Sequence, residues 1–461
     1  MRAMWAEAWV QVRLTLPIAG ANLLQRATTW ITWACVGHLG PDYLGPVTLA
    51  SSVNNVLGTA MVGGLAVGVQ TLASQANGAR DSVALSRVLE RAILVGLVGS
   101  LPCVLLLMFI RPLLTAMHMS RDFAEIAGEY AWCVILVTPC MGVQRAIGFW
   151  LVSQNDNAPR LFIQLVAIPF HAILTWYLVY VASQRHIGAG IAMSLSSLLQ
   201  VALTYAYISL SPRYAGRWSG FSREACRDWR PYLSMAVPGL LMNAEYWIGE
   251  TLTFLAGLLP DPATCLSALA IYQLTQTTNY QFPSGVRMAV SARIGNHLGA
   301  GDSGAADLAQ RAGFRVILIW IMFPTTILLC FTREWGLIFT DNDRVLHMLY
   351  NLVYIMLFYS NADAILAYYN GVLSACGRQR LSGRWAIIGY VFIGFPLATL
   401  LAFGLRFGVS GLVVGHSVGK VVHTLACILA VRSIDWKNES DLAVERVLRI
   451  AGGALPLSSR A

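Results

Sequence analysis

The sequence predicts an all-α polytopic membrane protein, with twelve transmembrane helices in two parallel-repeat six-helix lobes around a central cleft. Three observations predict it. Of the 461 residues, 56% are hydrophobic and only 12% charged, where an average soluble protein is about a quarter charged; this excludes an ordinary soluble enzyme. Apolar runs of the roughly 20 residues that cross a bilayer recur from Leu14 to Arg432. Finally, the stretch from Gly64 to Asp81 aligns without gaps on Gly285 to Asp302, and the same offset of 221 carries Pro17 onto Pro238 and Asn22 onto Asn243.

Apolar runs between charged and turn-forming residues place spans near 14–36, 43–75, 92–115, 125–151, 161–183, 187–210, 231–258, 264–291, 312–332, 346–373, 385–405 and 409–432. The N-terminal stretch carries Glu7 and Arg13 and lacks a short apolar core ending in small residues, so no cleaved signal peptide is expected. Residues 1–210 form the expected N-lobe and 231–433 the C-lobe, with 434–461 as a tail. The segment 211–230, the longest and most basic of the loops, joins the lobes. An even number of spans per half keeps both halves in one orientation, so the repeat is parallel, the plan of an alternating-access transporter.

Charge sets the orientation. The formal charge of +9 forms no compact basic patch with interleaved aromatics, so nucleic acid is not an expected partner. Arginines concentrate on alternate loops, among them Arg80, Arg87, Arg160, Arg213, Arg217, Arg227, Arg311, Arg378 and Arg384. The basic side is cytoplasmic, so both termini are expected there, and the sequon at Asn438 is expected to go unused. Of nine cysteines only Cys226 lies clearly outside an apolar segment, which argues against a disulfide framework or a CxxC metal pair.

Three of the 23 acidic residues stand deep within expected spans: Glu245, Glu250 and Asp363, all in the second half. A carboxylate there costs roughly 2.5–3.5 kcal/mol on insertion scales, so each should face a protein-lined cavity. They are candidates for proton or cation coupling, or are paired structural acids. Glu245 ranks first, because it follows Pro238 by two turns and has Asn243, Tyr246 and Trp247 as polar or aromatic neighbours. Glu250 lies about 140° further round the helix. Asp363 shares a face with Tyr359 and Asn370. Tyr272, Gln276 and Tyr280 follow one another at helical spacing in the eighth span with Gln273 beside them, a candidate lined pathway or a set of interhelical hydrogen bonds alone. In the N-lobe, Asn22 and Gln70 can bind polar substrate groups but carry no proton. Lys420, with His416 at i−4 and His423 at i+3, suggests an anion site or pH-sensing cluster, or a lysine paired with an acid.

These motifs resemble the multidrug and toxic compound extrusion (MATE) family, and its plant and animal branch more than the bacterial ones. The resemblance rests on Val36 to Gly40 after the first span, and on Glu245-Tyr246-Trp247 with Glu250 and Leu255 to Pro260 in the seventh. It extends through Pro283 to Gly301 in the eighth, Asp363 ahead of Gly371 to Gln379 in the tenth, and Asp435-Trp436 with Glu445 to Val447 in the tail. It implies an antiporter that exports organic compounds, organic cations foremost, in exchange for protons, with Glu245 as the essential protonation site and Glu250 and Asp363 contributing. Gln70, Gln273 or Leu274, and Lys420 depart from the family pattern and leave neutral or anionic substrates open. Such a protein needs no cofactor beyond the proton gradient, with sodium as the alternative coupling ion. Its partners are a small organic substrate and the bilayer of the plasma membrane or an organelle, and it is expected to be monomeric. A lipid-precursor flippase shares the wider architecture, but a larger arginine-rich cavity and extra spans would be expected of one.

Overall fold

A computed structural model describes residues 1–218 and 220–451, apart from the side chains of Pro41 and Ala263. Helix occupies each of the twelve expected segments. Eight of the described helices are long and apolar enough to cross a membrane, and a ninth crossing forms if Arg121–Cys133 and Val137–Ser153, which meet at 40°, are one bent span. The remaining three are polar or broken. The first, Arg2–Gly37, carries Glu7, Arg13 and Arg26. The seventh divides into Arg230–Leu241 and Ala244–Ala256, and the eighth into Pro262–Asn279 and Gln281–Gly299.

The repeat is written in the backbone. Asp81 accepts a hydrogen bond from the Ala84 amide at 2.9 Å to open the third span, and Asp302, 221 residues on, accepts from Ala305 at 2.8 Å to open the ninth. The left-handed joints recur at the same offset: Gly40 (φ 117°) with Asp261 (56°), Arg80 (57°) with Gly301 (78°), and Arg185 (50°) with Arg406 (60°). Non-glycine residues seldom adopt this conformation, so its recurrence marks a common chain path in both halves.

Two compact units emerge. One comprises Pro17–Asn77, Asp81–Ala236 and the described chain from Leu448; the other comprises Met1–Leu16, Gly78–Arg80 and Val237–Val447. They differ from the sequence boundaries at four places, residues 1–16, 78–80, 211–236 and the described chain from Leu448, of which the first and third have visible causes. The first sixteen residues join the unit of the second half, because Glu7 forms a two-pronged ion pair with Arg293 (2.8 and 2.7 Å) and Gln11 donates to the Ala309 carbonyl at 2.8 Å. The first helix, from Arg2, thus extends well before the apolar span expected from residue 14.

The segment expected as a joining loop instead folds onto the first-half unit. Arg213 and Arg217 hold the Gln154 carbonyl and side chain at 2.9 and 2.7 Å, Ser222 donates to Glu90, and the Tyr232 hydroxyl reaches the Leu65 carbonyl at 2.9 Å. Tyr214 donates to Asp156. Burial, followed by that hydrogen bond, raises the Tyr214 phenol above its ordinary value, so it remains a donor.

Elsewhere the third span runs Ser82–Met108 and ends at Phe109 before a short helix, Ile110–Ala116. The ninth, Ser303–Cys330, starts earlier than expected because Asp302 caps it. The tail forms Trp436–Ala451, with buried Glu439 held by Arg378 at 2.7 Å and Ser440 donating to the Leu298 carbonyl. Its last ten residues, 452–461, lie outside the described residues. Ala158–Val181 and Ser303–Cys330 bury only 28% and 22% of their most apolar windows, as lipid-facing helices do.

Candidate functional site

The site lies within the unit that holds the second half. Its seventh span breaks four residues after Pro238, at Met242 and Asn243, where the Asn243 amide turns back to the Leu240 carbonyl at 3.0 Å. The helix restarts at Ala244, which sets Glu245 in its first turn. The twelfth span, Gly408–Arg432, approaches the eleventh at glycines: a Cβ on Gly415 would stand 2.2 Å from the Ala398 nitrogen, and one on Gly419 2.5 Å from the Gly389 carbonyl oxygen. Only glycine permits that approach, and it brings Lys420 and Tyr390 together.

Lys420 is completely buried and binds two carboxylates, Glu245 from the seventh span and Asp363 from the tenth, the latter at 2.5 Å. Its ammonium also lies 4.6 Å from the centre of the Tyr359 ring and 5.8 Å from that of Tyr390. Glu245 accepts hydroxyl hydrogens from Tyr359 and, at 2.9 Å, from Tyr390. His416 stacks on both tyrosines, with ring centres 5.5 and 5.3 Å away, and its Nε2 lies 3.1 Å from the Tyr359 oxygen. A hydroxyl has one hydrogen to donate. Because Tyr359 gives its own to Glu245, His416 carries the proton on Nε2 and donates it.

A second polar group lies further along the same helices. Ser382 donates to Asn370 at 2.6 Å and meets His423 Nε2 at 2.9 Å, so His423 is the donor there.

The sequence-derived candidates therefore separate into groups. Glu245, Asp363, Lys420, His416 and Tyr359 form one cluster, and buried Tyr272 packs beside it, its ring 6.3 Å from that of Tyr359. Glu250 stands apart, hydrogen-bonded to Tyr246 on its own helix. Trp247 packs against the small buried cluster of Ala244, Ala386 and Tyr390. Gln276 fixes the eighth span to the tenth, donating to the Met356 carbonyl at 2.9 Å and accepting from Ser360. Gln273 donates to Thr253 at 2.7 Å, and Tyr280 occupies the joint of the eighth span. Asn22, which accepts from Arg160 at 2.9 Å, and the buried Gln70 belong to the other unit.

Sequence reasoning missed Tyr390. The signal was present as Gly389 and Gly394 facing Gly415 and Gly419, a small-residue pattern that marks two helices in close contact.

Two carboxylates and one ammonium carry a net charge of −1 when all are ionised, and one added proton makes the cluster neutral. The side chains of Glu245 and Asp363 keep 25% and 15% of their surface accessible, while Lys420 keeps none. The arrangement can thus take up and release a proton at an accessible carboxylate while its cation stays enclosed.

The MatE family model matches residues 17–177 and 238–400, two stretches whose starts are separated by the repeat offset. Among curated proteins, Protein DETOXIFICATION 16 of Arabidopsis thaliana is 31% identical over 95% of this chain and 90% of its own length. Multidrug and toxin extrusion protein 1 of Danio rerio is 28% identical over 94% of this chain and 74% of its own. A crystal structure of the eukaryotic MATE transporter AtDTX14 superposes with a TM-score of 0.91 at 26% identity, covering 96% of this chain and 99% of that one.

Proposed function

This chain belongs to the MatE family of multidrug and toxic compound extrusion transporters, and on that premise we propose that it exports small organic compounds from the cytoplasm in exchange for protons carried by Glu245. It is an integral multi-pass membrane transporter and not an enzyme. The names of its relatives, detoxification and extrusion, favour foreign or waste compounds as cargo.

One observation carries the proton assignment: Glu245 and Asp363, from different spans, share the single ammonium of Lys420. A proton arriving on Glu245 removes one of the two charges that hold that ammonium, and Asp363 keeps it. The ionic tie between the seventh and twelfth spans is then cut, and the half-helix Ala244–Ala256 is free to swing on the break at Met242 and Asn243. Release of the proton on the cytoplasmic side restores the tie. Each pH unit supplies about 1.4 kcal/mol per proton, and each 100 mV of membrane potential about 2.3 kcal/mol per charge, enough to drive accumulation with one or two protons.

The test is efflux of a panel of organic cations, anions and neutral compounds from proteoliposomes under an imposed pH gradient, comparing the parent with Glu245→Gln. Flux that follows the gradient and is lost in the variant supports the reading. Flux that follows a sodium gradient instead transfers the site to sodium. Gradient-driven flux untouched by the substitution moves the proton elsewhere.

A further inference from the structure

The immediate surroundings of the Lys420 ammonium are those that recognise a free organic ammonium ion: two carboxylates for its charge and two aromatic faces for its cation–π attraction. Asp363 lies at 2.5 Å, Glu245 is paired on the other side, and the Tyr359 and Tyr390 rings are 4.6 and 5.8 Å away. The seat is therefore filled by a cation belonging to the chain itself, a butylammonium tethered to the twelfth span. We infer that Lys420 is a built-in occupant of this cation seat, a specificity determinant that keeps free alkylammonium ions off the Glu245–Asp363 pair and reserves the pair for the proton. The inference deepens the functional reading above and rests on its assignment of this cluster as the coupling site.

The physical argument is one of competition. A visiting ammonium must displace one whose local concentration is fixed by its tether, and displacement strands a buried charge. Removing one member of a buried ion pair typically weakens the state by about a hundredfold or more, so a free amine loses to Lys420 by about that factor. The backbone does not yield either, because Gly415 and Gly419 pack the twelfth span against the eleventh with no room for a Cβ. The open side of the seat lies at the two acids, which retain accessible surface. With Lys420 truncated, an amine can enter from that side.

The experiment uses the full chain purified in detergent, with no gradient. Lys420→Ala removes a fragment equal to n-propylammonium, which is the probe; n-propanol is the uncharged control of equal length. Calorimetry and thermal unfolding read binding. The expected result is that Lys420→Ala unfolds at a lower temperature, that n-propylammonium restores it, and that the variant binds the amine at least about tenfold more tightly than the parent. The double variant Lys420→Ala with Asp363→Asn, which removes one charge of each sign, should still bind the amine at Glu245.

Equal binding to parent and variant overturns the inference, as does equal rescue by n-propanol, which would mark an apolar hole only. A variant that fails to accumulate even with the amine present throughout preparation also overturns it, because a seat that accepts free ammonium must be refilled by one. Proton-driven flux together with failed amine binding leaves the coupling reading intact and removes this inference. Amine binding together with flux indifferent to pH removes the coupling reading, and with it the reservation of the pair for the proton, while leaving Lys420 as the occupant of the seat.

Discussion

Tyr390 donates its hydroxyl to Glu245 Oε2 at 2.9 Å across 145 residues of sequence. This contact makes the eleventh span part of the acidic site, through a neutral hydroxyl that binds the second carboxylate oxygen beside the Lys420 pair. A hydrogen bond to a charged group contributes about 1.5–3 kcal/mol. Tyr390→Phe should therefore lower gradient-driven flux by about 10- to 100-fold. Tyr359→Phe should lower it further, because His416 then loses its acceptor as well. Initial rates in proteoliposomes check both, and Glu250→Gln, which lies outside the cluster, should lose less than either.

Glycine substitutions separate packing from chemistry. Gly419→Ala places a Cβ 2.5 Å from the Gly389 carbonyl oxygen, so the eleventh and twelfth spans must part; overpacking of this kind costs about 1–3 kcal/mol and should draw Tyr390 from Glu245. Gly249→Ala, on the half-helix that carries Glu245, meets nothing within 4 Å and should stabilise the protein by about 0.5–1 kcal/mol through helix propensity. Thermal unfolding in detergent, measured beside flux, reads both.

The N-terminal sixteen residues are held by Glu7 and Arg293, whose side chains are 10% and 20% exposed. Arg293→Ala leaves the carboxylate of Glu7 without its partner and should destabilise the unit by about 2–4 kcal/mol, less than a fully enclosed pair because of that exposure. Limited proteolysis should then cut within the first sixteen residues before any other site, and cutting elsewhere first would remove this account of their docking.

Tyr214→Phe takes a donor from Asp156, which keeps Tyr207 at 2.8 Å. The expected loss is about 1–2 kcal/mol, with faster proteolysis in the segment 211–230, because that segment is anchored through Tyr214, Arg213 and Arg217. Unchanged cleavage there would show that the arginines suffice.

Much of the site was legible because buried acids in apolar runs are rare and stand out. That ground selects Glu245, Glu250 and Asp363 alike, and gives no sign that Glu250 stands outside the cluster; the helical spacing of Asp363 with Tyr359 placed those two on one face. What could not be read was the identity of their partners. Lys420 is 175 residues from Glu245 and 57 from Asp363, and whether it pairs, snorkels or faces a cavity depends on how the twelfth helix is rotated against its neighbours. Tyr246 and Trp247 adjoin Glu245 in sequence, yet successive residues on a helix point in different directions.

The sequence by itself determined the all-helical membrane class, the location of most spans, the parallel repeat and three candidate acids, since hydropathy, helical period and internal similarity are properties of local chain segments. Only the tertiary structure decided that Lys420 fills the seat between two of those acids, that Tyr390 completes it, and that the first sixteen residues pack with the second half. Those outcomes depend on helix rotation, on how closely glycine faces let two backbones approach, and on which buried charge finds an opposite one. They are fixed only when segments far apart in the chain compete for the same contacts.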